Sequence, residues 1–323
     1  MGVKADEAGF FRTLMEFCST LRGRGIRSER VETLDDKIRE LTNHQEKIKI
    51  TGQKIDTFCM LVKEINPFHT NAEFAKQHNF QDRFAPGTMI ASLGEQFYNG
   101  LIGCINEVAS VTYIPISGKL NFGLHPIFPD TNLLWVFYGF SWGENGDLSL
   151  NMVGGDNKKI RGVDWSKVTR RNIRDLGCSL DIISNQSRST SHISLYGPEI
   201  SPKSYLVTGE DLDKFTDTVD DNSRKPYSFP YMYASSFIIS ALLDLQKEVT
   251  GKVSGIHIGT DFEFYGLPEV GKEFKVEFFF RGEDFQHFRN QSKSRWRIDA
   301  VISQDHKPLI YSEIAVLSEK SQK

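Results

Sequence analysis

Gly87-Thr-Met-Ile-Ala-Ser-Leu-Gly-Glu-Gln-Phe-Tyr-Asn-Gly-Leu-Ile-Gly-Cys-Ile105 places apolar side chains at Met89, Ile90, Leu93, Phe97, Leu101 and Ile102. Steps of three and four predict one long helix with a wide apolar face. Three strand-like segments follow, at Val111 to Phe122, Leu133 to Trp142 and Leu148 to Met152. Upstream, Lys47-Ile-Lys-Ile50 alternates as a half-buried strand does. A helix is expected from Asp56 to about Lys63, and a short one from Asn71 to Gln77.

The second half repeats this order. Ser204 to Val207 reads as a strand and Asp211 to Phe215 as the start of a helix. Tyr231 to Val249 is a second long apolar helix, carrying Phe237, Ile238, Ile239, Leu242, Leu243 and Leu245. Strands are expected at Ile256 to Phe264, Phe274 to Phe280, Trp296 to Ile302 and Leu309 to Leu317. Phe84-Ala-Pro86 before the first long helix parallels Ser228-Phe-Pro230 before the second, and Pro126 and Pro268 lie at similar distances downstream. A long buried helix followed by antiparallel strands that wrap it is the order of a hotdog domain. The predicted fold class is therefore α+β, a double hotdog: a helical extension over 1–45, one hotdog over 46–195 and a second over 196–323. Within the extension, Phe10, Phe11, Leu14, Met15 and Phe17 share a helical face. Ser19 to Arg30 reads as a loop, and Asp35 to Asn43 as a short helix.

Chemistry concentrates in Phe58-Cys-Met-Leu61-Val-Lys63-Glu64-Ile-Asn66-Pro67-Phe68-His69-Thr-Asn-Ala-Glu-Phe-Ala75. Pro67 has no N–H and disfavours helical geometry at Asn66, so the chain must turn there. A carboxylate and an imidazole on either side of that turn can converge on one point, as general acid–base work requires.

This segment resembles the signature of the MaoC-like hydratases, the (R)-specific enoyl-CoA hydratases, at Phe58, Leu61, Asn66, Pro67, His69 and Ala75. Arg83-Phe-Ala-Pro86-Gly87-Thr-Met resembles the family's lead into its hotdog helix, and Phe122 to Asp130 its substrate-side strands. The match covers about residues 46–142. The sequence departs from the pattern where Glu64 replaces an Asp, Lys63 a Gly, Val62 a small residue and Phe68 an aliphatic one. The resemblance implies a hydratase or dehydratase of enoyl and 3-hydroxyacyl thioesters. Glu64 and His69 would hold one water, delivering its hydroxyl to C3 and a proton to C2. Gly87 N–H, with Thr88, would stabilise the enolate oxygen from the helix start, and Asn66 would hold the turn or bond to substrate. No cofactor and no metal are called for. Rival readings are a hotdog thioesterase or acyltransferase, and a non-catalytic acyl-binding or scaffold protein.

The rest of the sequence bounds these expectations. The chain of 323 residues is 39% hydrophobic and 25% charged, with a net charge of −3, which points to a globular protein and away from nucleic acid. The 24 phenylalanines suit deep cores or an apolar ligand tunnel. Four scattered cysteines without a CxxC pair read as thiols of a reducing compartment. With no membrane-length apolar run and no signal-like start, a cytoplasmic protein is expected, with a homodimer of double hotdogs possible. Lys158 to Arg174 carries seven basic residues, including Arg170 and Arg171, and Lys293, Arg295 and Arg297 alternate along a strand. Solvated faces are the default, but either group could meet the phosphates of coenzyme A or an acidic acyl carrier protein. Asp220-Asp221-Asn222 lies where the second half would carry its own motif but lacks Asn-Pro-x-His. Gly154-Gly155-Asp156 reads as a turn.

Overall fold

A computed structural model describes residues 48–109, 114–123, 125–142, 148–164, 175–185, 199–219, 229–251, 256–288 and 291–318, with scattered positions at 16–36 and at 167 and 173. Ten strands form one antiparallel sheet: β1 (Ile48–Ile50), β2 (Ile114–Phe122), β3 (Thr131–Trp142), β4 (Leu148–Asp156), β5 (Cys178–Asn185), β6 (Glu199–Leu206), β7 (Ile256–Phe264), β8 (Glu273–Phe288), β9 (Gln291–Gln304) and β10 (Lys307–Ser318). Their order is β1-β3-β4-β5-β2-β7-β10-β9-β8-β6. Read inward from either edge, the two halves have the same order, so the repeat expected from the sequence is present in the sheet itself.

The halves join where β2 pairs with β7, from Ser117 opposite Glu263 to Asn121 opposite Gly259. Gly118 makes that seam possible: a Cβ there would stand 2.4 Å from the Phe262 ring. The two long helices are α4 (Gly87–Ala109) and α7 (Tyr231–Thr250). They pack against each other and against the strands of their own halves, and their buried faces join one apolar core spanning both halves. This is a double hotdog.

Shorter helices precede each long one: α1 (Gly52–Leu61), α2 (Pro67–Thr70) and α3 (Ala72–Gln77) in the first half, and α6 (Gly209–Thr218) in the second; α5 (Asn157–Arg161) follows β4. In α1 the buried side chains Ile55, Phe58, Cys59 and Leu61 recur at helical spacing. Its first turn is capped by the Thr51 hydroxyl, which accepts from Lys54 N–H. The Phe58 ring meets Phe215 of α6 at 6.0 Å, so the short helices also bind the halves together.

Three local expectations are corrected. Gly154 and Gly155 are not a turn: they close β4, opposite Trp135 and Leu134. The glycines are there because a Cβ on Gly154 would stand 2.4 Å from the Trp135 indole, and one on Gly155 2.0 Å from the Leu176 carbonyl oxygen. Strand β5 was not anticipated at all. Where a loop was expected, Ser19 to Gly23, Glu29 and Arg30 are helical, and among the other described residues there Gly25 stands in a turn, at φ +83°. The face of Phe10, Phe11, Leu14, Met15 and Phe17 and the Asp220 to Asn222 segment lie wholly outside the described residues.

Candidate active site

The turn that carries Glu64 is built by the end of α1. Lys63 N–H donates to Met60 O (3.3 Å) and Glu64 N–H to Cys59 O (2.8 Å), the paired bonds of a Schellman cap. Such a cap needs one left-handed residue, and Lys63 fills that place at φ +56°. Glycine takes this conformation freely, whereas a side chain pays for it. Lys63 Nζ rests over the Tyr205 ring, 5.2 Å from its centroid, which offsets part of that cost.

Asn66 then starts α2. Its side-chain oxygen accepts from Phe68 N–H (3.1 Å), and Pro67 occupies the first helical position, where a missing N–H costs nothing. Asn66 therefore holds the turn. Glu64 accepts at Oε1 from Asn66 N–H at 2.9 Å. Phe68, in the place of an aliphatic residue, lies in a cluster of rings with Phe74 (5.1 Å), Phe80 (5.5 Å) and Phe84 (5.9 Å). Those rings fix the loop whose Phe84 carbonyl meets His69.

Glu64 and His69 both line a cavity of about 490 Å³, a size suited to a small ligand. Glu64 is only 7% exposed. Burial raises its pKa to about 7, against the pull of the Asn66 and Ile65 N–H groups, and the negative charge of Asp244 adds to the rise. His69 Nδ1 is 2.8 Å from Phe84 O. A carbonyl only accepts, so Nδ1 carries the proton and Nε2 is left with a bare lone pair. Burial lowers the pKa of His69 to about 4, so the ring is neutral. Of the two groups, the carboxyl therefore has the higher affinity for a proton.

Gly87 and Thr88 line the same cavity at the start of α4. Their first-turn N–H groups have no partner among the described residues, while Met89 and Ile90 N–H donate to Pro86 O. A Cβ on Gly87 would stand 2.1 Å from the Phe122 ring, so only glycine fits beneath that ring. The opposite wall comes from the second half: Ile239, Leu242 and Leu243 of α7, His257 of β7, Trp296 of β9 and Val316 of β10. His257 was not anticipated, since a lone histidine in a strand carries no sequence signal.

The start of α7, the counterpart of Gly87 and Thr88, is closed. Glu95 of α4, 2% exposed, accepts from Tyr231 N–H at Oε1 (2.9 Å) and from Met232 N–H at Oε2 (2.7 Å). The only sequence signal for it was a carboxylate on the apolar face of a helix.

Among the described residues, no basic side chain of these two groups lines the cavity. Trp296 and Ile298 line it, so Arg295 and Arg297, which alternate with them on β9, face the other side of the sheet. The Lys293 side chain, Arg170 and Arg171 lie outside the described residues. Of the same stretch, Lys158, Lys159 and Arg161 sit on α5, and Lys167 pairs with Asp164 at 2.9 Å. Among the described residues no group of three His, Cys, Asp or Glu side chains is placed to hold a metal ion. Nor is any described helix long and apolar enough to cross a membrane.

No family model and no curated protein matches the sequence. Solved structures do match the fold. A MaoC domain protein dehydratase from Chloroflexus aurantiacus superposes with a TM-score of 0.58 at 10% identity, over 84% of this chain and 92% of that one. A MaoC-like dehydratase from Phytophthora capsici gives 0.51 at 11% identity, over 84% and 94%. A Mycobacterium tuberculosis protein described as a double hotdog gives 0.53 at 7% identity, over 84% and 93%. At these identities the likeness is one of fold. The chain has the double hotdog fold, and MaoC-like dehydratases are among the proteins that share it.

Proposed function

We propose that the protein hydrates enoyl thioesters and dehydrates 3-hydroxyacyl thioesters, carried on coenzyme A or acyl carrier protein. The observation that carries this reading is the pairing of Glu64 and His69 in one apolar cavity. One group is a carboxyl able to hold a proton at neutral pH, and the other is an imidazole with a bare nitrogen.

In hydration, a water lies between the two side chains. His69 Nε2 takes a proton from it as its oxygen bonds to C3 of the enoyl group. The electron pair of the C2–C3 double bond moves onto the thioester oxygen, where the free N–H groups of Gly87 and Thr88 receive the enolate. Glu64 then gives its proton to C2 as the carbonyl reforms. His69 returns its extra proton to the Glu64 carboxylate through solvent, which restores the pair. Dehydration is the reverse. The first hotdog, over 46–195, supplies this machinery, and the second, over 196–323, supplies the wall of the acyl cavity. The free, buried thiols of Cys18, Cys59 and Cys178 suit a reducing compartment such as the cytoplasm.

The test is loss of the double bond in a crotonyl thioester. Glu64→Gln and His69→Ala should each lower kcat by about 10² or more, with a double variant little worse than the weaker single one. Full hydration and dehydration rates in both stably folded variants refute the assignment. Thiol release with the double bond intact would mark a thioesterase instead, and tight binding without turnover a binding protein.

A further inference from the structure

His257 has no part in the chemistry above, yet it stands in the cavity wall on β7. Its Nε2 lies 3.0 Å from Gly259 O and also meets the Thr260 hydroxyl. Because the carbonyl can only accept, Nε2 carries the ring's proton. Burial holds the ring neutral. Nδ1 is then a bare acceptor with no partner among the described residues, in a wall that is otherwise largely apolar. Leaving such a nitrogen unpaired when a ligand excludes water costs free energy, so the ligand should bring a donor.

The donors on an acyl thioester are few. Its carbonyl only accepts, and the hydroxyl at C3 occupies the place of the water between Glu64 and His69. What remains is the carrier arm common to coenzyme A and acyl carrier protein, whose nearest donor is the amide N–H beside the sulfur. That nitrogen lies four bonds from the thioester carbon. The Phe122 ring links the two places: it covers Gly87, at the start of α4, and meets the His257 ring edge-on at 4.6 Å between centroids. With the thioester oxygen at the helix start and the arm running past Phe122, the amide N–H would reach His257.

We propose that His257 Nδ1 accepts the hydrogen bond of this first pantetheine amide. The cavity would thereby recognise the carrier arm through the second half of the chain. The inference rests on the thioester reading above and deepens it.

The test compares crotonyl-pantetheine with a counterpart in which the amide beside the sulfur is an ester, so that one N–H becomes an oxygen. One neutral hydrogen bond should give the wild type roughly a 3- to 10-fold preference in kcat/KM for the amide. The change should lie in KM, since the bond persists through the reaction. His257→Phe should bring the ratio to about one, and His257→Asn, which keeps an acceptor, should retain part of it. Binding constants for the unreactive saturated thioethers of the same two arms give the ratio independently of turnover. A wild-type ratio near one, or a ratio unchanged in a folded His257→Phe protein, overturns the inference. Absence of turnover with the binding ratio present would overturn the hydratase reading and leave the arm contact standing.

Discussion

The acid and base roles proposed for Glu64 and His69 can be tested by pH alone. Raising the Glu64 carboxyl from 4.5 to about 7 disfavours its ionised form by roughly 3 kcal/mol. In the proposed mechanism the working state has a proton on Glu64 and none on His69, and it would persist from about pH 4 to about pH 7. Above that, kcat/KM should fall about tenfold per pH unit. The limb must be the same for hydration and dehydration, because adding water consumes no net proton and the ratio of the two is fixed by equilibrium. Asp244→Asn removes a charge that raises the Glu64 pKa, so the limb should move to lower pH. Stability gives a second readout. The Glu64 pKa is raised on folding, so its contribution is fully present below 4.5 and lost as pH rises through about 7. The His69 pKa is lowered, so its contribution is present above 6.5 and lost as pH falls through about 4. Glu64→Gln should therefore gain up to about 3 kcal/mol over wild type near pH 8 and almost nothing near pH 4. Rates from stopped flow and denaturation curves at both pH values suffice. If activity rises through pH 7, Glu64 is the base and the assignment of the two roles is inverted.

Further outcomes follow from single contacts. Lys63→Gly relieves a left-handed residue at a cost saving of about 1 kcal/mol and loses a partly exposed cation–π contact worth about 0.5 kcal/mol. Denaturation should show equal or greater stability, with kcat unchanged; a clear loss of stability would mean that the cap is not the strained point. Glu95→Ala strips two charge-assisted bonds from the start of α7 and should cost about 3 kcal/mol, measured by denaturant titration; a neutral effect would deny Glu95 its role as a cap. Residues 46–200 expressed alone would expose the β2 edge and the apolar face of α4, and should aggregate or lose activity. A soluble, fully active fragment would contradict the shared cavity.

The sequence revealed periodic features and missed those set by distant partners. The helices α4 and α7 and the strand β7 were legible because apolar spacing and alternation are local. Strand β5 was not: Cys178–Asn185 follows a basic stretch, and nothing local signals that it pairs with both β2 and β4. The pair Gly154-Gly155 carries a turn signal, yet it serves the Trp135 indole and the Leu176 carbonyl, neither of which can be inferred from the glycines themselves. At the site, Glu64 and His69 could be read because Pro67 forces a turn between them. His257 and Glu95 could not, because the groups that give them meaning lie in the other half of the fold. The substitution of Lys63 for glycine weakened the sequence resemblance, but the backbone at that position still adopts the left-handed conformation that the pattern's glycine would supply.

The asymmetry of the two halves follows from how their helix starts are filled. A helix start presents unpaired N–H groups and a positive end of the dipole, so it must be met by a cap, by water or by a ligand. At α7 the cap is permanent: the Glu95 carboxylate is buried and takes both Tyr231 and Met232 N–H. At α4 the preceding residue is Pro86, which has no side-chain oxygen, and the Gly87 and Thr88 N–H groups have no partner among the described residues, in the cavity that Glu64 and His69 also line. The same carboxylate that closes one start reaches across from the helix that keeps the other open. Closing the second start also ties α7 to α4, which holds Ile239, Leu242 and Leu243 against the open cavity. A fused chain can make this exchange because its halves are free to differ in sequence. In a dimer of identical hotdogs, a carboxylate placed to cap the partner's helix would cap both helices and leave neither start open.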